Sequence, residues 1–378
     1  MQIYHLPTAF AGILLALFMG GVGCNPAPDQ SYIEWTMYGG DAAGTHYSAL
    51  DQIDRSNVDQ LKVAWTYHTG DKIEEPPSTI ECNPIIVEGV MYVTSPTLRV
   101  IALDAATGAE LWTFDPFPDA KKEEVNRGVT YWADGEDRRI LFTAGPRLYA
   151  LDANTGDPVD SFGTDGSVGL TFSSRTPGII REDLLILGSV GPGHIRAYDV
   201  RTGEREWIFH TIPHPGELGY ETWPADAWKT ETGANDWSGM TLDRERGIVY
   251  ASTANPSPEF YGAARRGKNL FANSVIALDA ATGERIWHFQ TIHHGIWDLD
   301  LPAPPNLVTI ERDGRTIEAV AQVTKTGQVF VFDRTSGVPL YPIEERKVPP
   351  SDLPGEEAWP TQPFPIQPTP FSRQGLDE

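Results

Sequence analysis

"VIALDAATGAELWTF", Val100 to Phe114, decides the fold, because the same unit returns three more times in the chain. The copies are "LYALDANTGDPVDSF" (Leu148 to Phe162), "IRAYDVRTGEREWIF" (Ile195 to Phe209) and "VIALDAATGERIWHF" (Val275 to Phe289). A weaker fifth, "VFVFDRTSGVPLYPI", runs from Val329 to Ile343. Alternating apolar residues mark a strand, Asp, Thr and Gly supply the side-chain bonds and positive φ of a tight turn, and a second strand often ends in Trp. The unit is a β-hairpin. Its aspartates, Asp104, Asp152, Asp199, Asp279 and Asp333, are spaced by about 50 residues except for one long interval, which suits one four-stranded blade per repeat of an all-β propeller. The interval from Asp199 to Asp279 then holds an insertion of about 30 residues or a degenerate blade. "LKVAWTYHTG" (Leu61 to Gly70) reads as a lone strand with the Trp end of the repeat, its blade completed from elsewhere.

Composition agrees with a globular chain. Of 378 residues, 40% are hydrophobic and 21% charged, which supports a sizeable core and excludes wholesale disorder. A net charge of −23 argues against a nucleic-acid partner, which would recruit Lys and Arg patches. The first residues carry an apolar run from Ala9 to Val22 that is too short for a bilayer span and reads as an export signal over 1–24. Gly-Val-Gly-Cys, ending at Cys24, is similar to the lipobox of bacterial lipoproteins, so plain cleavage and a lipid anchor through Cys24 are both open. Residues 25–34 read as a linker and 35–378 as the propeller. Cys82 reads as a buried, apolar thiol.

Ala-x-Asp-x-x-Thr-Gly-x-x-x-Trp, complete at Ala102 to Trp112, Ala197 to Trp207 and Ala277 to Trp287, resembles the tryptophan-docking motif of the quinoprotein dehydrogenases. "WTMYGGDAAGTHYSALDQIDRSNVDQLKVAWTYHTGD" (Trp35 to Asp71), "HHGIWDLDLPAPPNLVTI" (His293 to Ile310) and "AVAQVTKTGQVFVFDRTSGVPL" (Ala319 to Leu340) resemble the branch related to membrane-type glucose dehydrogenase. The resemblance implies an eight-bladed propeller holding pyrroloquinoline quinone (PQQ) and Ca²⁺ or Mg²⁺ on its axis. It also implies a chain that carries only four to five of the blades, as a fragment or truncated reading frame.

Site residues follow from the same match. Asp298 in "HHGIWDLDLP" corresponds to the family's catalytic base and metal neighbour. Asp300, two positions on in an extended segment, adds a carboxylate to a hard cation. A solvated acidic turn, or a zinc site using His293 and His294, are the readings that the residues alone leave open. Adjacent histidines point apart, which disfavours zinc; one of them would support the base or line the pocket. Asn255 in "YASTANPSP" matches a calcium ligand, its alternative being an Asn-Pro turn. The expected Glu ligand has no counterpart at Gly191, Pro192 and Gly193. Trp237 in "GANDWSGM" would stack beneath the planar quinone, or be one more core Trp. Lys325 would stabilise charge on the reduced cofactor. Glu81, Arg127 and Thr176 match positions that hydrogen-bond PQQ, and Arg127 can bind a carboxylate in fork fashion. Where one branch of the family has two cysteines over the quinone, this chain has Lys121 and Lys122.

The implied activity is oxidation of an aldose or other alcohol in the periplasm, with electrons passed to ubiquinone or a cytochrome. No Cys-x-x-Cys-His is present to hold a haem. A non-catalytic propeller lipoprotein of the outer-membrane assembly type, or an inactive relic of the enzyme, are the alternatives. A scaffold would need none of Trp237, Asn255, Asp298 and Lys325.

Overall fold

The computed structural model describes residues 2–5, 34–120 and 124–375. Four antiparallel sheets of four strands follow one another along the chain, each in simple meander order. Blade 1 comprises Ile85–Val87, Val90–Thr94, Val100–Asp104 and Glu110–Phe114. Blade 2 runs from Thr130–Asp134 to Ser167–Gly169, blade 3 from Ile179–Arg181 to Arg205–Phe209, and blade 4 from Met240–Asp243 to Arg285–Gln290. Blade 5 has three strands, Asn306–Arg312, Arg315–Val323 and Val329–Asp333. A separate hairpin, Ile343–Lys347 with Thr361–Pro365, follows it. Among the described residues, no helix is long and apolar enough to cross a membrane.

The sequence repeat is the third and fourth strand of each blade, and its turn chemistry recurs. Asp104 Oδ1 accepts from the backbone N–H of Ala106 and Thr107 at 3.1 and 2.7 Å, and Asp199, Asp279 and Asp333 do the same in their own turns. The turn glycines lie at φ between +71° and +79°, a region that costs a Cβ-bearing residue dearly. A second reason for glycine is the preceding blade. A Cβ on Gly156 would lie 2.5 Å from Trp112, one on Gly283 2.4 Å from Trp207, and one on Gly337 2.5 Å from Trp287. The indole Nε1 of each then donates to a carbonyl just before that glycine: Trp112 to Ala153, Trp207 to Ala280, Trp287 to Arg334. Each blade therefore grips the next. Trp65, on the strand Lys62–Thr66, docks on Gly108 and donates to Ala105 in the same way, so the lone strand is indeed the closing strand of a blade before the first. Its only strand partner among the described residues is Gln2–His5.

Two repeats depart from the pattern, and proline explains both. Pro158 and Pro339 stand where the fourth strand should begin, and a residue without an N–H cannot propagate the ladder. Each makes a single isolated bridge, to Leu151 and Phe332. Blade 2 recovers a fourth strand only at Ser167–Gly169, and Phe162 with Val168 replaces the missing Trp against Gly203.

The core is a series of slabs between neighbouring blades. Val100, Trp112, Phe142 and Leu151 fill the first slab, and Ile195, Trp207, Val249 and Ile276 the one between blades 3 and 4. The long interval proves to be an insertion: residues 210–239 link blades 3 and 4 through one short helix, Ala227–Thr230, and residues 253–273 extend a loop inside blade 4. Both lead to the axis. There the segments entering the inner strands of blades 1 to 3 are tied backbone to backbone, Asn83 N–H to Arg127 O at 3.0 Å and Arg127 N–H to Arg175 O at 2.8 Å.

Candidate functional site

A cavity of about 290 Å³ opens where these inner segments meet the two insertions; Arg127, Arg175, Trp237, Asn255, Asp298 and Asp300 contribute to its wall. Three of the charged residues converge tightly. Lys325 Nζ donates to Asp300 Oδ2 at 3.0 Å, to Asp298 Oδ2 at 3.2 Å and to the Asp298 carbonyl at 3.0 Å. The expected reason for this convergence, strand alternation, is not the one observed. Asp298 sits at φ +50° in an irregular segment, a left-handed conformation that Asp tolerates better than most residues, and the turn brings its carboxylate beside that of Asp300. Burial raises the pKa of Asp300, against the opposing N–H of Asn255 and the Lys325 charge. Burial works against the Lys325 ammonium, but hydrogen bonds and charge from Asp300 and Asp298 outweigh it and raise its pKa. At neutral pH, Lys325 is a fixed cation.

Asn255 is bound into the wall from three sides. Its backbone N–H donates to Asp300 Oδ1 at 2.7 Å, and its amide Nδ2 donates to the carbonyls of Pro256, Glu259 and Gly295. Its Oδ1 is buried with no donor, next to Gly295, where a Cβ would come within 1.9 Å. Arg265, fully buried, clamps this arrangement by donating to the carbonyls of Pro258 and Gly295. Asn255, with its orphaned amide oxygen, lines the same cavity as the carboxylates of Asp298 and Asp300; amide and carboxylate oxygens are the donors a hard cation takes, so the residues present fit Ca²⁺ or Mg²⁺. The absence of a Glu near Gly191 has a steric reason. Gly193 N–H donates to Gly233 O and Gly233 N–H to Gly191 O, and a Cβ on Gly193 would meet the Asn235 backbone at 2.0 Å. That stretch is a docking strip for the insertion. A third carboxylate, missed in the sequence, comes instead from Glu259, four residues past Asn255, which lines the same cavity. The pair Asn255 and Glu259 in "NPSPE" was the available signal.

Trp237 lines the cavity with its ring facing two cations, Arg127 at 5.3 Å and Lys325 at 6.0 Å from the centroid, distances at which a charge interacts with the π face. Its Nε1 is buried without a partner. Arg127 Nη2 pairs with Glu81 at 2.7 Å and its Nη1 reaches the Trp237 carbonyl at 3.3 Å, so Glu81 acts on the cavity through Arg127. Thr176 does not line the cavity. It is buried in a separate crevice between blades 2 and 3, and its neighbour Arg175 takes the axial position. Asp236, beside Trp237, is fully buried; desolvation pushes its carboxyl up to about 7, opposed by one bond from Gly239 N–H.

The two histidines do not support the base. His293 is hydrogen-bonded to Gln290 and Glu345, and His294 to Asn269, which anchors the loop from behind and leaves Asp298 to Lys325. His294 instead lines a second, apolar cavity of about 600 Å³ between this loop and the tail. Cys82 is a free thiol that accepts from Thr94 N–H at 3.2 Å, and burial raises its pKa, in keeping with an inert role. Cys24, Lys121 and Lys122 lie outside the described residues.

Blades of this kind around a polar cavity lined by carboxylates, a Trp and arginines define a β-propeller with a charged axial pocket. Residues 35–378 match the family model described as glucose/ethanol/alcohol dehydrogenase, β-propeller domain, of the PQQ proteins. The chain belongs to this family. It is 33% identical over 389 residues to quinoprotein glucose dehydrogenase A of Acinetobacter calcoaceticus, covering 89% of this chain and 48% of that protein. It is also 33% identical to quinohemoprotein alcohol dehydrogenase of Comamonas testosteroni over 80% of this chain and 45% of the relative. The crystal structure of the Comamonas enzyme superposes with a TM-score of 0.73 at 29% identity, covering 91% of this chain and 53% of that one. A europium-containing methanol dehydrogenase superposes with a TM-score of 0.69 at 25% identity, over 82% of this chain and 58% of the other. The chain spans about half the length of the curated relatives it matches.

Proposed function

We propose that the axial cavity is the site of a PQQ-dependent dehydrogenase that oxidises an aldose sugar or another alcohol. The observation that carries this reading is that Asp298, Asp300 and Trp237 line one cavity, with Lys325 bonded to both carboxylates and 6.0 Å from the Trp237 ring centroid. When bound, PQQ supplies the carbon that accepts hydride from the alcohol. Asp298, the more exposed of the two carboxylates, takes the hydroxyl proton as general base. Asp300, Asp298, Asn255 and Glu259 offer oxygens to Ca²⁺ or Mg²⁺. Trp237 provides the flat surface for a planar ring. Arg127, steered by Glu81, and Arg175 bind the cofactor's carboxylates. Lys325 keeps a positive charge beside the reacting groups and orients Asp298.

The relatives' names, which include both glucose and alcohol dehydrogenases, support the breadth of the substrate class. Electrons pass to ubiquinone or a cytochrome. The apolar leader supports export to the periplasm, the leader ending either in plain cleavage or in a lipid anchor at Cys24. The test is reconstitution of the chain with PQQ and Ca²⁺, followed by dye reduction with glucose and with simple alcohols. PQQ uptake with turnover that falls roughly 10²–10⁴-fold in Asp298→Asn is expected, the range for losing a general base. No uptake of PQQ overturns the reading for this chain.

A further inference from the structure

We propose a second metal site, for a late first-row divalent transition metal such as Zn²⁺, built by His194, His210 and His214 at one end of blade 3. One ring nitrogen of each lies within 4.8 Å of those of the other two. The meeting follows from register. Ile195 and Phe209 are partners in the ladder between the third and fourth strands, so His194 and His210 are the next pair beyond it. His214 arrives four residues later, where a turn closes from Glu217 N–H to His214 O and Trp228 covers the ring at 4.7 Å.

The donor chemistry is that of a nitrogen-rich site. His194 is 9% exposed, and its Nδ1 is buried with no hydrogen-bond partner. Glu217 is placed as the supporting carboxylate. Its Oε1 accepts from His210 Nδ1 at 2.8 Å, which leaves Nε2 of His210 as the donor to a metal, and its Oε2 accepts from His214 N–H at 2.7 Å. A carboxylate on the far nitrogen of a metal-binding imidazole fixes the tautomer and raises its basicity. Three imidazoles suit Zn²⁺, Cu²⁺ or Ni²⁺ and not the hard cation of the axial cavity. One adjustment is required: His210 and His214 are stacked 3.7 Å apart with planes 11° from parallel, and their lone pairs must turn to converge. The χ2 torsion of His is broad enough for that rotation. Bound metal would pin the start of the insertion 210–239 to blade 3, and that insertion carries Trp237 to the axis.

The untagged chain, stripped with chelator, is dialysed against Zn²⁺ and separately against Co²⁺. One equivalent of Zn²⁺ is expected beyond the amount held by His210→Ala/His214→Ala, with Co²⁺ giving the visible bands of a tetrahedral nitrogen site. Glu217→Gln should weaken binding by about 10–100-fold, the usual loss for a supporting carboxylate. Asp298→Asn should leave Zn²⁺ uptake unchanged. Wild-type protein that takes up no more Zn²⁺ than the double variant overturns the site, as does uptake lost in Asp298→Asn. Because wild-type uptake is itself decisive, a misfolded double variant does not protect the proposal.

Discussion

The outer turns and the axial cavity use the same residue types to opposite ends. In the turns, every Asp is satisfied by backbone N–H groups and every docked indole has a carbonyl; Tyr92 and Tyr250 even add hydroxyl bonds to the carbonyls that Trp112 and Trp287 use. Around the cavity, Asn255 Oδ1, Trp237 Nε1 and Oδ2 of Asp236, the residue next to Trp237, are buried without partners. An unsatisfied buried polar atom costs about 1–3 kcal/mol. The turn aspartates and docked indoles are satisfied, whereas the residues around the axis hold open valences for something else to fill.

Substitutions can break that contrast in order of size. Trp287→Ala removes an indole 7% exposed, together with its bond to Arg334, and should lower stability by roughly 3–5 kcal/mol, read as a lower urea midpoint. Asp236→Asn should act in the other direction. The carboxyl rises from 3.8 to about 7 on folding, so its contribution is complete below about pH 4 and is lost as pH climbs to about 7. Wild-type stability should therefore fall across that window. The Asp236→Asn variant, whose amide oxygen keeps an acceptor for Gly239 N–H, should stay flat and be more stable above pH 7 by a few kcal/mol. A variant with the same slope as wild type would remove Asp236 from this account. Asp279→Ala loses three turn bonds at a partly exposed site and should cost roughly 1 kcal/mol, measured by the same denaturation.

The girdle was legible in the sequence because its determinants are local. Asp279, Thr282, Gly283 and Trp287 lie within nine residues of one another, and their counterparts act alike in the three complete copies. Asp298, Lys325, Asn255 and Trp237 were legible only through resemblance; the structure brings Asp298, Asn255 and Trp237 to one cavity, with Lys325 bonded to Asp298 at its wall. What stayed hidden depends on where distant backbone runs. Arg175 replaces Thr176 because the inner segment of blade 3 is held to Arg127 by its own carbonyl. Gly193 excludes a side chain because the insertion lies on it, and Glu259 is drawn in by a loop that Arg265 clamps. His293 and His294 misled for a related reason: a polar cluster in sequence says nothing about which face of a loop each ring takes. The three other histidines gave no sequence signal, since twenty residues separate His194 from His214.

The docking of each indole on the following blade has an evolutionary consequence. The donor Trp and the acceptor Asp-x-x-Thr-Gly turn travel together in the three complete repeats, at Ala102 to Trp112, Ala197 to Trp207 and Ala277 to Trp287, so each of these copies carries a plug and a socket. Duplication of such a unit inherits its own joint on both sides, whatever the number of copies. Lineages could therefore lengthen or shorten the array without inventing new interfaces, while the axial loops, which carry no joint, were free to diverge.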